Sequence, residues 1–285
     1  MSTFSSESPR STALNLRVMG FCGADDSCAP EHLQLLSIHY PWIEWGVLFR
    51  PDLEGTPRYA TLDWVNRLSK INTETGGNMR LAGHLCGSRC QDILDGDSSF
   101  VKELNGLGFG RVQVNATKAN NVTVNFGNLG GVASNIRNCM ESVPEVEWIF
   151  QLNEETKGIF DELVKIGGPL PANMSILQDA SCGLGVLATE YPAPFSINGE
   201  EVPCGYAGGI APENVVSVLG NVAKAAGGKP VWIDMESSLR AMTYDKKEAT
   251  PVDAFSVEKC FACVLQGSAA YTHALPVSRF TVLSV

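Results

Sequence analysis

The chain of 285 residues has no apolar run of the ~18 to 20 residues that a bilayer-spanning helix needs. Its opening stretch, Met1–Ser11, is polar and serine-rich, and no hydrophobic leader segment follows it. We therefore expect residues 1–12 to form a disordered tail ahead of one domain over 13–285, and a cytoplasmic protein without membrane contact. Excess positive charge is also missing, since 21 Lys and Arg stand against 31 Asp and Glu for a net charge of −10. A broad surface for nucleic acid is not expected on that balance, and any phosphate must be held locally. The nine cysteines are scattered and odd in number, which reads as reduced thiols rather than a disulfide framework. A zinc pattern is lacking too: His84, Cys86 and Cys90 have neither a common metal-site spacing nor an evident fourth ligand, so neither metal nor cofactor is expected.

What is there is the composition of a globular protein with a sizeable core, 44% hydrophobic and 18% charged. Eight short apolar segments recur at nearly even spacing: Leu16–Phe21, Ile43–Phe49, Met79–Gly83, Gly110–Val114, Glu147–Phe150, Met174–Leu177, Val202–Ala207 and Pro230–Ile233. Each ends in a polar or glycine marker: Cys22, Arg50, His84, Asn115, Gln151, Asp179, Gly208 and Asp234. The steps between markers average roughly 30 residues, the size of one βα unit. This predicts an α/β protein, a single (β/α)8 TIM barrel with a parallel eight-stranded core. Such barrels place their chemistry at the C-terminal ends of the strands, so the markers form the candidate site ring.

Helix signals fall between these segments. Thr61 is a candidate N-cap for a run with Leu62, Val65 and Leu68 at helical spacing. Pro212-Glu213-Asn214 opens a helix after the seventh segment, and Phe255–Gln266 reads as the closing helix. Between Asn115 and Val143 helical periodicity starts only near Val132, which predicts a long fourth loop.

The most specific stretch is Gly205-Tyr-Ala-Gly-Gly-Ile-Ala-Pro-Glu-Asn214, a strand ending in two glycines just before a helix start. Gly208 and Gly209 let the backbone approach a ligand closely, and the free N–H groups of such a turn can hold a phosphate. The loop after the eighth segment adds hydroxyls at Ser237 and Ser238. Together these four residues are the predicted phosphate site.

The string AGGIAPENV resembles the seventh-strand signature of phosphoribosylanthranilate isomerases, barrel enzymes of tryptophan biosynthesis. In collinear order, FCG at Phe21–Gly23, GVLFRPDLEGTPRY at Gly46–Tyr59, VQVNA at Val112–Ala116, ILQDASCGLG at Ile176–Gly185 and WIDMESS at Trp232–Ser238 are similar to further pieces of that family. The resemblance implies an Amadori rearrangement with Cys22 as general base and Asp179 as general acid, and Arg58 against the acidic aromatic part of the substrate. Three positions differ from the family pattern. Its first-strand lysine has no counterpart, its His-Gly after the fourth strand becomes Asn115-Ala116, and Glu236 stands where it places a hydroxyl near the phosphate. A carboxylate there would oppose phosphate binding, so either it points away, or it pairs with Arg240, or the ligand here is different.

His84 sits where a general acid or base of near-neutral pKa would be useful. Asn115, Gln151 and Asn153 are neutral groups suited to sugar hydroxyls, and Asp234 and Glu236 complete the substrate-binding candidates. Asp25 and Arg50 read as solvated or salt-bridged. The favoured function is an isomerase-like acid–base enzyme for a small phosphorylated compound. A lyase or aldolase without a Schiff base, given that no strand-end lysine is evident, and a non-catalytic ligand-binding barrel are the alternatives. A homodimer stays open.

Overall fold

In a computed structural model, which describes residues 13–179, 181–197, 199–245 and 250–270, eight parallel strands close on themselves. They are β1 (Asn15–Cys22), β2 (Ile43–Phe49), β3 (Arg80–Leu85), β4 (Arg111–Val114), β5 (Glu147–Leu152) and β6 (Met174–Gln178), then, after a small hairpin of β7 (Ser196–Ile197) and β8 (Glu200–Glu201), β9 (Cys204–Tyr206) and β10 (Pro230–Met235). The ring runs β1-β10-β9-β6-β5-β4-β3-β2, and the protein is a (β/α)8 barrel. The expectation for residues 1–12 lies outside the described residues. No helix among the described residues is long and apolar enough to cross a membrane.

Around the strands lie α1 (Pro30–His39), α2 (Leu62–Glu74), α3 (Ser88–Asp95), α4 (Ser99–Gly106), α5 (Leu129–Ser142), α6 (Lys157–Lys165), α7 (Val215–Ala226) and α8 (Val257–Ala270). The Thr61 cap forms as expected: its hydroxyl accepts the N–H of Trp64 at 3.1 Å, an interaction worth about 1 kcal/mol. Two departures from regular alternation matter. Both α3 and α4 lie between β3 and β4, and no helix among the described residues joins β6 to β9. Gly183 (φ +81°), Gly185 (φ +67°), Pro192 and Pro194 suit that connection to loop rather than helix, because such backbone angles and missing N–H groups interrupt a helical ladder. A second hairpin, β11 (Arg240–Asp245) with β12 (Thr250–Phe255), intervenes before α8 and was not expected from the strand pattern.

On the barrel axis, Val18, Ile149, Leu177 and Trp232 form a separate apolar layer inside the main core between strands and helices. Below it, at the strand N-termini, the buried Arg111 guanidinium bridges Glu44 at 2.8 Å and Glu147 at 3.0 Å. The same guanidinium lies 4.5 Å from the centre of a Trp232 ring, a cation–π contact that adds to its fixation. Strand glycines make these large inward groups possible. A Cβ on Gly205 would overlap the Trp232 indole, one on Gly20 would overlap the Asp234 carboxyl, and one on Gly46 would crowd His84 and Cys22.

Candidate active site

Strand side chains alternate with a period of two, so the inward series continue upward from the apolar layer into polar residues. Gln113 leads to Asn115, Ile149 to Gln151, Leu177 to Asp179, and Trp232 to Asp234 and Glu236. At the C-terminal mouth these residues line a cleft of about 320 Å³, together with His84 and the loop residues Ser181, Gly208, Gly209, Ser237 and Ser238. The volume is in the range of small-molecule sites. The sequence markers His84, Asn115, Gln151, Asp179, Gly208 and Asp234 thus meet in one place, whereas Arg50 turns aside to pair with Asp52 at 3.1 Å.

Asp179 organises one wall. One carboxylate oxygen accepts from the N–H and hydroxyl of Ser181 at 3.0 and 2.6 Å, and the other from Gln151 Nε2 at 2.6 Å and the N–H of Gly183 at 2.8 Å. A carboxylate has about four lone-pair sites, so these contacts occupy them all. The arrangement winds the segment 179–183 around the carboxylate and leaves the Gln151 Oε1 acceptor buried without a partner among the described residues. On the neighbouring wall Gln113 donates to Asn115 Oδ1 at 2.6 Å, and Asn115 Nδ2 contacts Cys86 Sγ at 3.4 Å.

Opposite lies the glycine turn. Gly208 (φ +107°) and Gly209 (φ +60°) are in conformations that favour glycine, and a Cβ on Gly209 would overlap the backbone of Leu187. Asn214 fixes the turn by donating to Gly209 O at 2.9 Å and accepting from Ala211 N at 2.8 Å. The Ser238 hydroxyl donates to Ile210 O and so ties the loop after β10 to the turn. Among the described residues, no hydrogen bond takes up the N–H groups of Gly208, Gly209 or Ile210. Such a cluster of unspent donors is what an anion requires.

Asp234 stands on the floor of the cleft, in the space that Gly20 leaves, and its carboxyl makes no hydrogen bond with the described residues. Burial, with the nearby Glu44 and Glu236 charges adding to it, raises its pKa well above the usual carboxylate range. Glu236 is shifted upward too, by burial first and with Arg58 opposing. About 35% of its side chain is open to the cleft, so water there moderates that shift. Its partner is Arg58, at 3.0 Å, rather than Arg240, which the sequence offered as one way of neutralising it. Arg240 is drawn away because the buried Asp25 holds it at 2.7 Å and Asp253 at 3.1 Å. Arg58 also reaches the Ser237 hydroxyl at 3.3 Å, which places its charge at the rim of the glycine turn.

Two expectations change in chemical character. His84 lies inside β3 rather than past its end, and burial, with Arg111 adding to it, lowers its pKa to about 3 instead of leaving it near neutral. Its imidazole is therefore uncharged at neutral pH. Cys22 is 1% exposed and does not line the cleft; burial, then Asp234 and Glu236, push its thiol well above the ordinary range. A thiol held protonated is a poor general base. Residues the sequence reading passed over include Gln113, Asn120 and Ser181 at the cleft and Arg111 beneath it. Gln113 was findable, since it stands two positions before Asn115 on the same face of one strand. No cluster of His, Cys, Asp and Glu suited to a metal occurs among the described residues.

No protein-family model matches the chain, and no curated protein does. Among solved structures it is similar to the crystal structure of TrpF from Jonesia denitrificans, with 13% identity over 91% of this chain and 99% of that chain and a TM-score of 0.47. It is similar also to a GH113 beta-1,4-mannanase, with 10% identity over 91% of this chain and 99% of that chain and a TM-score of 0.42. Likenesses this loose assign neither a substrate nor a reaction.

Proposed function

We propose that this barrel is an acid–base enzyme for a small phosphorylated, hydroxyl-bearing compound, working by an Amadori-type isomerisation as the resemblance to phosphoribosylanthranilate isomerases implies. The observation that carries the reading is the pairing, within one cleft, of a carboxyl that favours its protonated form with a turn of unspent N–H donors. In this assignment the N–H groups of Gly208 and Gly209, with the hydroxyl of Ser237, hold the phosphate, Ser238 steadies the turn because its one proton goes to Ile210 O, and Arg58 offsets the charge of Glu236 beside it. Gln151 Oε1 and Asn115 receive sugar hydroxyls.

Ring opening needs a proton delivered to the ring oxygen, and enol-amine formation needs one removed from the adjacent carbon. Asp234, whose burial holds its proton on above the usual carboxylate range, delivers it. Glu236, raised above an ordinary glutamate and steadied by Arg58, receives the second. These roles move from Asp179 and Cys22, whose lone pairs are occupied and whose thiol stays protonated respectively. His84, uncharged, serves as a hydrogen-bonding group. A Schiff-base route finds no support, because no lysine lines the cleft among the described residues.

Two measurements test the assignment. Ribose 5-phosphate should raise the thermal midpoint of the protein. The chain should also restore growth of a tryptophan auxotroph lacking the isomerase, and Asp234→Asn should abolish the rescue, as expected for a proton donor worth 10²- to 10⁴-fold. Absence of any shift with ribose phosphate, or a turnover that survives Asp234→Asn, would overturn it.

A further inference from the structure

Asp25, in the loop after β1, is buried at 3% exposure, and both its oxygens are fully engaged. Oδ1 accepts from the N–H of Ser27 at 3.0 Å and from the Ser27 hydroxyl, while Oδ2 accepts from Arg240 at 2.7 Å and from the backbone N–H of Arg58 at 2.6 Å. The carboxylate is itself well anchored. Arg240 also donates to Gly23 O at 3.0 Å and to Asp253 at 3.1 Å, and the Ser27 hydroxyl accepts from Phe255 N at 2.8 Å, which ties the group to the end of β1 and to the β11–β12 hairpin.

The Arg58 that it holds has an unusual backbone. At φ +81° it lies in the left-handed region, which among the described residues only Asn121 and Cys182 share outside the glycines. Its own loop does not account for this, because the turn is closed around it by Gly55 N donating to Tyr59 O at 2.8 Å and by Tyr59 N donating to Thr56 O at 3.0 Å. Its side chain does not either. The guanidinium reaches Glu236 at 3.0 Å and the Ser237 hydroxyl at 3.3 Å, but the side chains of that ion pair are 34% and 35% exposed, and so open a pair is worth less than a left-handed backbone costs a residue with a Cβ. A charge-assisted hydrogen bond to a buried carboxylate is the stronger hold.

We propose that Asp25 is a positioning residue for the cleft, holding the Arg58 backbone in the left-handed conformation that carries the guanidinium across to Glu236 and Ser237. A return to negative φ would redirect the Cα–Cβ bond and take the cation off Glu236. No Lys or Arg lines the cleft itself among the described residues, so Arg58 at the rim is what offsets Glu236 beside the glycine turn. The consequence for a ligand rests on the phosphate site proposed above; the hold on Arg58 does not.

The readout is the titration of Glu236, followed by carbon-13 carboxyl shifts of the full chain. Arg58 and Arg240 favour its charged form, Asp179 and Asp234 oppose it, and Cys22, Cys86 and Tyr59 lie near. Asp25→Asn removes a negative charge, which by itself should lower the Glu236 pKa. Losing Arg58 acts in the opposite direction, and we expect a net rise of about 0.5 to 1. In an Arg58→Gly background the same substitution should give no rise. Arg58→Gly should also melt several degrees above Arg58→Ala, because only alanine is strained at this φ. Inorganic phosphate should bind Asp25→Asn at least about threefold more weakly than wild type, and should bind Arg58→Gly equally with or without Asp25→Asn. A Glu236 pKa that falls or stays in Asp25→Asn, a rise that persists in Arg58→Gly, or equal melting of the glycine and alanine variants would each overturn the positioning role. Should Asp25→Asn not fold, the wild-type Arg58 amide decides: its proton is far downfield and slow to exchange if Asp25 holds it, and free exchange overturns the role. A wild type that binds no phosphate while Glu236 titrates as expected removes the phosphate site proposed above and keeps Asp25 in its role.

Discussion

Asp234→Asn should make the barrel more stable at neutral pH while removing the group proposed above as proton donor. Asparagine occupies the same space beside Gly20 and has no charge to bury. In the unfolded chain an aspartate loses its proton near pH 4, whereas in the fold burial and the neighbouring Glu44 and Glu236 hold the proton on. Above pH 4 the unfolded state therefore binds fewer protons at this residue, and its contribution to stability falls as pH rises toward the folded pKa. The slope for one such group is about 1.4 kcal/mol per pH unit, or at most roughly 3 kcal/mol between pH 4 and 6. One side of Asp234 faces the cleft, so we expect about 1 to 2 kcal/mol, a difference of roughly 2 to 8 °C in thermal midpoint for a domain of this size. The assay is thermal or urea denaturation of wild type and variant at pH 4, 5, 6 and 7.5. The advantage of the variant should grow from pH 4 upward and then level off. A constant difference across the range, or a variant destabilised most at high pH, would show that Asp234 is an ordinary ionised carboxylate and would remove its role as proton donor.

Two other substitutions probe the parts that hold the site. Gly209→Ala forces a Cβ against the Leu187 backbone at φ +60°; it should cost about 1 to 3 kcal/mol of stability and weaken inorganic phosphate at least tenfold by calorimetric titration. Arg111→Met leaves Glu44 and Glu147 without their cation beneath the apolar layer, and urea denaturation should register a loss of about 3 to 5 kcal/mol; a loss under 1 kcal/mol would mean that water already reaches the triad.

The barrel was legible because each strand repeats the same pattern, an apolar run closed by a polar or glycine residue, and the repeat length matches one βα unit. Asn115 and Asp179 fall just past their strands as that pattern placed them, while Gln151 and Asp234 sit one residue before the ends of theirs. What was hidden depends on contacts between residues far apart in the chain. Arg240 is four residues from Glu236 and looked like its partner, yet Asp25 and Asp253 take it, and Glu236 falls to Arg58, 178 residues away. His84 was placed one residue beyond a strand, where solvent would leave it titrating near neutrality. The strand runs to Leu85, and the environment inside the ring reverses that chemistry. The missing helix between β6 and β9 was foreshadowed by Gly183, Gly185 and Pro192, whose meaning emerges only once the loop is seen lying across β5 and β6.

Three of the glycines inside the strands make the ring's interior a set of coupled pairs. Gly20 is complementary in size to Asp234, Gly46 to His84 and Cys22, and Gly205 to Trp232. No member of a pair can be exchanged freely on its own. Enlarging the glycine expels its partner, and shrinking the partner opens a hole that the neighbouring strand has no side chain to fill. New chemistry on this scaffold would therefore have to arrive as two changes on adjacent strands. In directed evolution, libraries that randomise positions 20 with 234, 46 with 84, or 205 with 232 should yield folded variants where single-site libraries at the glycines yield almost none.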